Sequence, residues 1–505
     1  MEMRSDMENI VKKIINSGYQ IEVDAVKLLN DIINKNEMES FIEELLKRLN
    51  SESPKSIAIT KDFVKDAISD LSIEKKIEQE IQPGLRIKKP LAKDIDSNIE
   101  IIDDPTDKIG SVGCVEDFKD YFRSRFAKIS NLLRKRLDAR DALSIDMALD
   151  LSPKKKVKII AMVMSKKESN RFIIFEIDDV ESSALLLVPK ENRELLDLAQ
   201  NVVQDQVLCI EAIRGSKDFL IATNFIFPDI PERKVKKADI PIYAALLSDI
   251  HIGSKTFLED SFNKFILWLN GKAGNSNQVE IASKVKYLLI AGDLVDGIGI
   301  YPRQEEELAI TDIYKQYELM AQYIEQVPEY IEVIIIPGNH DAVRQALPQP
   351  AISKDYAEPI YEVKKVISLG NPAKIMLHGV TFLMYHGRSL DDIISTLPNL
   401  DFQRPEKAME FLLKSRHLAL EYGKRTSIAP MSEDYLVIDE PPDVFQAGHI
   451  HVLKNEVYRG ISVVNCGAWQ SQTEYQKRMG LIPTPGILPL INLQSMNLKV
   501  IDFNV

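Results

Sequence analysis

Apolar and polar positions change their period along this chain, and each change marks a new kind of element. Through residues 1–72 apolar positions recur at helical spacing, as in IVKKIINSG, which stops at Gly18, and KDFVKDAISDL, which Thr60 is placed to cap. These residues are expected to form a small helical module for protein contacts, with a plain helical bundle as the alternative. Residues 73–115 are polar with little period (PGLRIKKP, DDPTDKIGS) and read as a linker. A basic helical segment is expected over 116–150, built on FKDYFRSRFAKISNLLRKRLDAR, with Lys154-Lys155-Lys156 just beyond it. Such a run is usually a solvated face, and here it is also the strongest local basic patch.

Residues 151–232 switch to the period of strands. VKIIAMVM and RFIIFEID flank a polar SKKESN hairpin, ALLLVP follows, then a helical ENRELLDLAQNV, then QVLCIEAI and FLIATNFIF. Three strands, a helix and two strands is the order of an OB-fold β-barrel. Few aromatics alternate along it for base stacking, so a structural or docking role is as well supported as strand binding. Across 240–505 apolar strands alternate with helices, as in a layered α/β domain. The expected fold class is therefore multidomain: a helical N-terminal module, an OB-fold β-barrel and a layered α/β domain.

Composition narrows the class without altering this layout. A hydrophobic fraction of 45% with 28% charged residues is that of a soluble globular protein. Met1–Asp6 is polar where a signal peptide would begin, and no stretch reaches the ~18 continuous apolar residues of a membrane span. Cys114, Cys209 and Cys466 are too widely spaced for a disulfide framework or a zinc ribbon, so a cytoplasmic location is expected. A net charge of −12 argues against coating nucleic acid by bulk electrostatics. A DNA-handling function would need a local basic surface or a partner.

The chemistry gathers where apolar strands end. IYAALL runs into Ser248-Asp249-Ile250-His251, and YLLIAGD ends on Asp293. VIIIPGNHD carries Asn339 and His340, FLMYHG carries His386, and VFQAGHIH carries His449 and His451. In extended chain, residues two apart share a face, so Asp249 with His251, and His449 with His451, are expected to aim together. Five of the seven histidines sit at strand ends with glycine nearby, whereas His378 (in LHGV) and His417 (in KSRHLAL) read as a turn residue and a helix residue with no site role. Asp, Asn and His suit a hard-to-borderline dication, and Asp249, His251, Asp293, Asn339, His386, His449 and His451 offer enough ligands for two. A pair of such ions ~3.5–4 Å apart clamps a phosphate and lowers the pKa of a shared water.

On these residues the chain resembles the calcineurin-like metallophosphoesterases, whose motif order is Asp-x-His, Gly-Asp, Gly-Asn-His-Asp/Glu, His, Gly-His-x-His. The resemblance implies one metal on Asp249, His251 and His451, and a second on Asn339, His386 and His449, with Asp293 bridging. It implies that His340 faces the scissile phosphate and stabilises the leaving oxygen, and that Asp296 orients His340. The implied cofactor is a pair of divalent ions, manganese first, with magnesium, iron(II) or zinc as alternatives. The order of modules, with YHGRSLDD, AMEFLLKSRHLAL, YRGISVVNCGAWQSQTEYQKRMG and PTPGILPL, also resembles the small subunits of archaeal family-D DNA polymerases. That resemblance implies a 3′→5′ exonuclease that proofreads for a large catalytic polymerase subunit, with DNA and the sliding clamp as further partners. Lys255, Arg303, Arg344 and Arg388, near the ligand loops, are expected to include DNA-backbone contacts. Two other readings stay open: another phosphodiesterase or phosphatase of the superfamily, and a non-catalytic scaffold subunit.

Overall fold

A computed structural model describes residues 89–504, apart from 109, 111, 112, 364 and 365, together with 14, 20, 21, 26, 58 and 59. The chain divides into two compact units, Met1–Lys88 and Lys89–Val505. In the first, β1 (Gln20–Ile21) pairs in parallel with β2 (Ala58–Ile59). The helices expected over 1–72 lie largely outside the described residues.

In the second unit, β3 (Ile99–Asp103) pairs antiparallel with a strand more than 250 residues on, Ala373–Leu377, through register partners such as Ile101 with Ile375. A linker reading of 73–115 therefore fails for this segment. The run IEIID is short and flanked by charge, but it supplies the edge of a sheet whose other members lie far along the chain.

The helix Val115–Arg134 begins where the basic segment was expected, yet its charges are not all solvated. Arg125 is fully buried; its Nε donates to Asp434 Oδ2 at 2.9 Å, its Nη1 to the carbonyls of Asp205 and Leu420, and its Nη2 to Tyr121 Oη. His417 Nε2 meets the same Asp434 oxygen at 2.8 Å. His417 stands just past the helix Pro405–Ser415 rather than inside it, because Arg416 is left-handed and ends the helix. As expected from sequence, it lies away from the strand-end cluster. Burial, reinforced by the Arg125 charge, pushes His417 down to about 4, against about 6.5 in an unfolded chain. The unfolded chain thus takes up a proton that the folded chain refuses. This contribution to stability is complete above pH ~6.5 and falls as pH drops towards 4, by about 3 kcal/mol in total. Denaturant melts between pH 7 and 4.5 should show a steeper loss for the native chain than for His417→Gln; equal slopes would exclude His417 as the titrating group.

Five strands follow: β4 (Lys156–Glu168), β5 (Phe172–Asp178), β6 (Ser183–Pro189), β7 (Val207–Arg214) and β8 (Phe219–Ile226). They close into a barrel in the order β4-β5-β6-β8-β7, with the helix Arg193–Gln200 between β6 and β7, which is the strand and helix order read from sequence. Ile129 and Leu133 of the preceding helix pack on Ile160, Val207 and Cys209 of the barrel wall.

The remaining strands are β9 (Tyr243–Leu247), β10 (Val285–Ala291), β11 (Glu332–Ile336), β12 (Val366–Ser368), β13 (Ala373–Leu377) and β14 (Val380–Met384). They continue with β15 (Val444–Ala447), β16 (Lys454–Tyr458), β17 (Ile461–Asn465), β18 (Ile487–Asn492) and β19 (Leu498–Asp502). One sheet runs β12-β11-β10-β9-β18-β19 and the other β16-β17-β15-β14-β13-β3. Strands β9 to β12 are mutually parallel, as are β14, β15 and β17. Alternation explains the layering. Ala244 and Leu246 of β9 pack with Leu289, Ile334, Phe382 and Val444 between the two sheets, whereas Ala245 and Leu247 turn to Phe262, Phe265 and Tyr317 on the helical face. Both faces of the parallel strands are covered, hence their unbroken apolar runs. The carboxyl ends of β9, β10 and β11 in one sheet, and of β14 and β15 in the other, carry the polar residues singled out by sequence.

Candidate metal centre

The ligand pairs reach the centre by a route that the sequence pattern did not foretell. Asp249 and His251 are not extended: their φ angles are 54° and 56°, and those of Asp293, His449 and His451 are 53°, 69° and 61°. Left-handed backbone costs a non-glycine residue of order 1–3 kcal/mol and persists only where the surroundings impose it. Here they do. Asp249 N donates to Gly292 O at 3.0 Å, Trp469 N donates to Asp249 O at 2.9 Å, and His449 N donates to the Asp249 carboxylate at 2.9 Å. Two glycines make room: a Cβ at Gly448 would fall 2.4 Å from Asp249 Oδ2, and one at Gly338 would fall 2.1 Å from Asp293 Oδ1.

All seven sequence-predicted ligands converge. Asp249 Oδ1 lies 3.3 Å from His451 Nε2, and His251 Nε2 lies 3.2 Å from that same nitrogen. Asp293 Oδ2 lies 3.2 Å from His386 Nε2 and 3.9 Å from His251 Nε2, so this carboxylate stands between the two halves. Asn339 Oδ1 is 3.1 Å from His386 Nε2. Ligand atoms within 4.8 Å of one another form three groups: Asp249, His251 and His451; Asp293, His386 and His449; and His251, Asp296 and His340.

The electrostatics fit a cation. Burial by itself would raise the carboxyl of Asp249, but the His451 and His386 charges outweigh it and hold that group at about 2. Asp293 is likewise buried, and His386 and His340 hold it well below the carboxylate range. Burial would lower His386, yet Asp293 and Asp249 raise it to about 9. The buried carboxylates thus call for positive charge beside them, which a divalent ion bound by the same atoms would supply.

Each imidazole has its other nitrogen fixed. His251 Nδ1 pairs with Asp296 Oδ1 at 2.9 Å, His386 Nδ1 with Ala291 O at 2.9 Å, His451 Nδ1 with Gln476 Nε2 at 2.9 Å, and His449 Nε2 with Asp391 Oδ2 at 3.1 Å. The sequence reading missed Asp391 and Gln476. Asp391 lies within the YHGRSLDD stretch, five residues beyond His386, but nothing in its spacing marks it as a partner of His449. Asp296 needs a correction. Its carboxylate holds His251, while His340 Nδ1 bonds its main-chain oxygen at 2.7 Å and lies 3.9 Å from the carboxylate. The side chain of Asp296 therefore orients His251, and only its backbone orients His340. Asp296→Asn should weaken metal affinity about 10–100-fold, the usual effect of losing such a partner, as read by chelator competition. Undiminished affinity with lost turnover would restore the role first assigned to it.

The centre opens into a cavity of about 780 Å³. Of the four cations expected at DNA, only Arg388 lines it, joined by Arg425 and Arg478, which the sequence reading did not name. Lys255 donates to Glu306 O at 2.8 Å, Arg303 pairs with the Glu306 carboxylate at 2.8 and 2.7 Å, and Arg344 donates to Pro348 O at 2.9 Å. Lys255 and Arg303 are thus engaged by the chain itself, and Arg344 through two of its three guanidinium nitrogens. Tyr301 and Tyr475 add aromatic surface to the cavity wall.

Residues 244–452 match the family of the B subunits of DNA polymerases alpha and epsilon. The DNA polymerase II small subunit of Methanothermobacter thermautotrophicus is 37% identical over 500 residues, covering 99% of this chain and 100% of its own. The chain belongs to the archaeal DNA polymerase II small subunit family. Members from Pyrococcus horikoshii and Pyrococcus abyssi are 40% and 43% identical over 84% and 77% of this chain, which spans 70% and 63% of their length. Among solved structures, an archaeal phosphodiesterase aligns with 52% of the chain and 99% of its own at 13% identity and a TM-score of 0.26, too distant to bear on the chemistry. Among the described residues, no helix of this family member is long and apolar enough to cross a membrane.

Proposed function

We propose that the chain is a metal-dependent 3′→5′ exonuclease of the calcineurin-like metallophosphoesterase type, proofreading for a large polymerase subunit. What carries this reading is the convergence of seven suitable donors from five strand ends in two sheets, five of them held in strained backbone, beside one cavity with cations on its wall. Asp249, His251 and His451 would hold one ion, Asn339, His386 and His449 the other, with Asp293 between. Two divalent ions, manganese first, would polarise the phosphate and lower the pKa of a water. The chain's own residues do the rest. His340 Nδ1 is tied to Asp296 O, which leaves Nε2 to give a proton or hydrogen bond to the leaving oxygen. Arg388, Arg425 and Arg478 hold phosphate, and Tyr301 and Tyr475 limit how a base sits. The relatives' name, small subunit, supports a large partner that positions the primer, an orientation that an acidic chain supplies poorly alone.

Incubation with manganese and a 5′-labelled primer carrying a 3′ mismatch should shorten it one residue at a time, releasing nucleoside 5′-phosphates, and a chelator should stop it. Tight metal binding without shortening, alone and with the large subunit, would defeat the reading.

A further inference from the structure

A second groove, of about 690 Å³, adjoins the cavity, and His340 lines both, with Ile300 and Gln345 beside it. We infer that this groove receives the DNA strand on the 5′ side of the scissile phosphate, an inference that rests on the exonuclease reading above. The polarity follows from the bond that breaks. When a nucleoside 5′-phosphate is released from a 3′ end, a water oxygen bonds to phosphorus and the P–O3′ bond breaks. The electron pair and a proton then go to O3′ of the preceding residue. The leaving oxygen belongs to the strand that remains. His340, the group placed to serve that oxygen, stands at the junction of the two spaces, so the remaining strand lies on the groove side and the departing nucleotide in the arginine-lined cavity.

The groove has the surfaces that a strand needs. Tyr356 lines it, and its ring stacks on Tyr314 at 5.9 Å with 24° between planes. The two residues are 40% and 57% exposed, so aromatic surface faces solvent rather than core. Arg344 also lines the groove; its Nε and Nη2 donate to Ala346 and Pro348 carbonyls, and among the described residues Nη1 has no protein acceptor. Aromatic faces with a cation beside them are the elements by which single strands are held without regard to sequence.

The full-length chain would be tested with oligothymidylates of two and eight residues, which place one and seven nucleosides on the groove side. Affinity would be read by fluorescence anisotropy in chelator, and hydrolysis in manganese. In Tyr314→Ala/Tyr356→Ala, affinity and kcat/KM for the octamer should fall about tenfold and those for the dinucleotide much less, while Tyr314→Phe/Tyr356→Phe restores the octamer. The single Tyr314→Ala variant should shift the octamer-to-dinucleotide ratio in the same direction. An unchanged ratio in active protein overturns the groove and leaves the exonuclease reading standing. A native chain that hydrolyses neither oligonucleotide, alone and with the large subunit, overturns both.

Discussion

Asp293→Ala is expected to cost at least about a thousandfold in turnover, more than the loss of any ligand on one side only, because each ion contributes several kcal/mol to the transition state. The carboxylate faces both halves: its Oδ2 lies 3.2 Å from His386 Nε2 and 3.9 Å from His251 Nε2, and its Oδ1 accepts from His340 N at 2.8 Å. Removing it takes away the charge that both sites share and the anchor of the loop bearing His340. Metal content should therefore fall below two ions per chain. A variant that keeps two ions, counted by elemental analysis, would assign Asp293 to one side only. Asp293→Asn separates the effects: it keeps an oxygen to accept from His340 N but loses the shared charge, and it should still lose metal.

How much of this was legible in the sequence depends on the range of the forces involved. The seven candidate ligands could be read because each follows an apolar run that can only be a buried strand, and because Asp, Asn and His in such places are costly without a partner. The barrel could be read for a similar reason, since strand period and a single helix fix its order. The turn geometry of Asp249, His251, His449 and His451 could not. Their backbone is held by bonds to distant parts of the chain: Asp249 by Gly292 and Trp469, His251 by Asp293, His449 by the Asp249 carboxylate and His451 by Thr484. Asp249 and His251 do aim together, as expected, whereas His449 and His451 fall in different groups, and the stated cause, extended chain, did not hold for either pair. Long-range pairing also hid β3, whose partner strand lies far beyond it, and placed the Asp296 carboxylate on His251 rather than His340. For the cations, nearness in sequence to a ligand loop proved a poor guide. Arg303 lies seven residues after Asp296 but is satisfied by Glu306, whereas Arg425 and Arg478, far in sequence from any ligand residue, face the cavity.

His340→Ala should lose about 10²–10⁴-fold in turnover on DNA, the range of a positioned acid or base, while keeping both ions. The main-chain bond from residue 340 to Asp293 Oδ1 survives the substitution, so the metal centre keeps its frame. His340 is also the most exposed imidazole of the site, with 16% of its side chain accessible against 12% or less for His251, His386, His449 and His451. A group that meets substrate must be reachable; a ligand need not be. Its place within 4.8 Å of His251 and Asp296 ligand atoms does allow the opposite role, and leaving-group chemistry decides between them. A p-nitrophenyl ester of thymidine 5′-phosphate departs as a stable phenolate and needs little help from a proton donor. On that substrate the defect of His340→Ala should shrink to within about tenfold. A loss as large as that on DNA, together with a fall in metal content, would make His340 a ligand and remove it from the leaving oxygen.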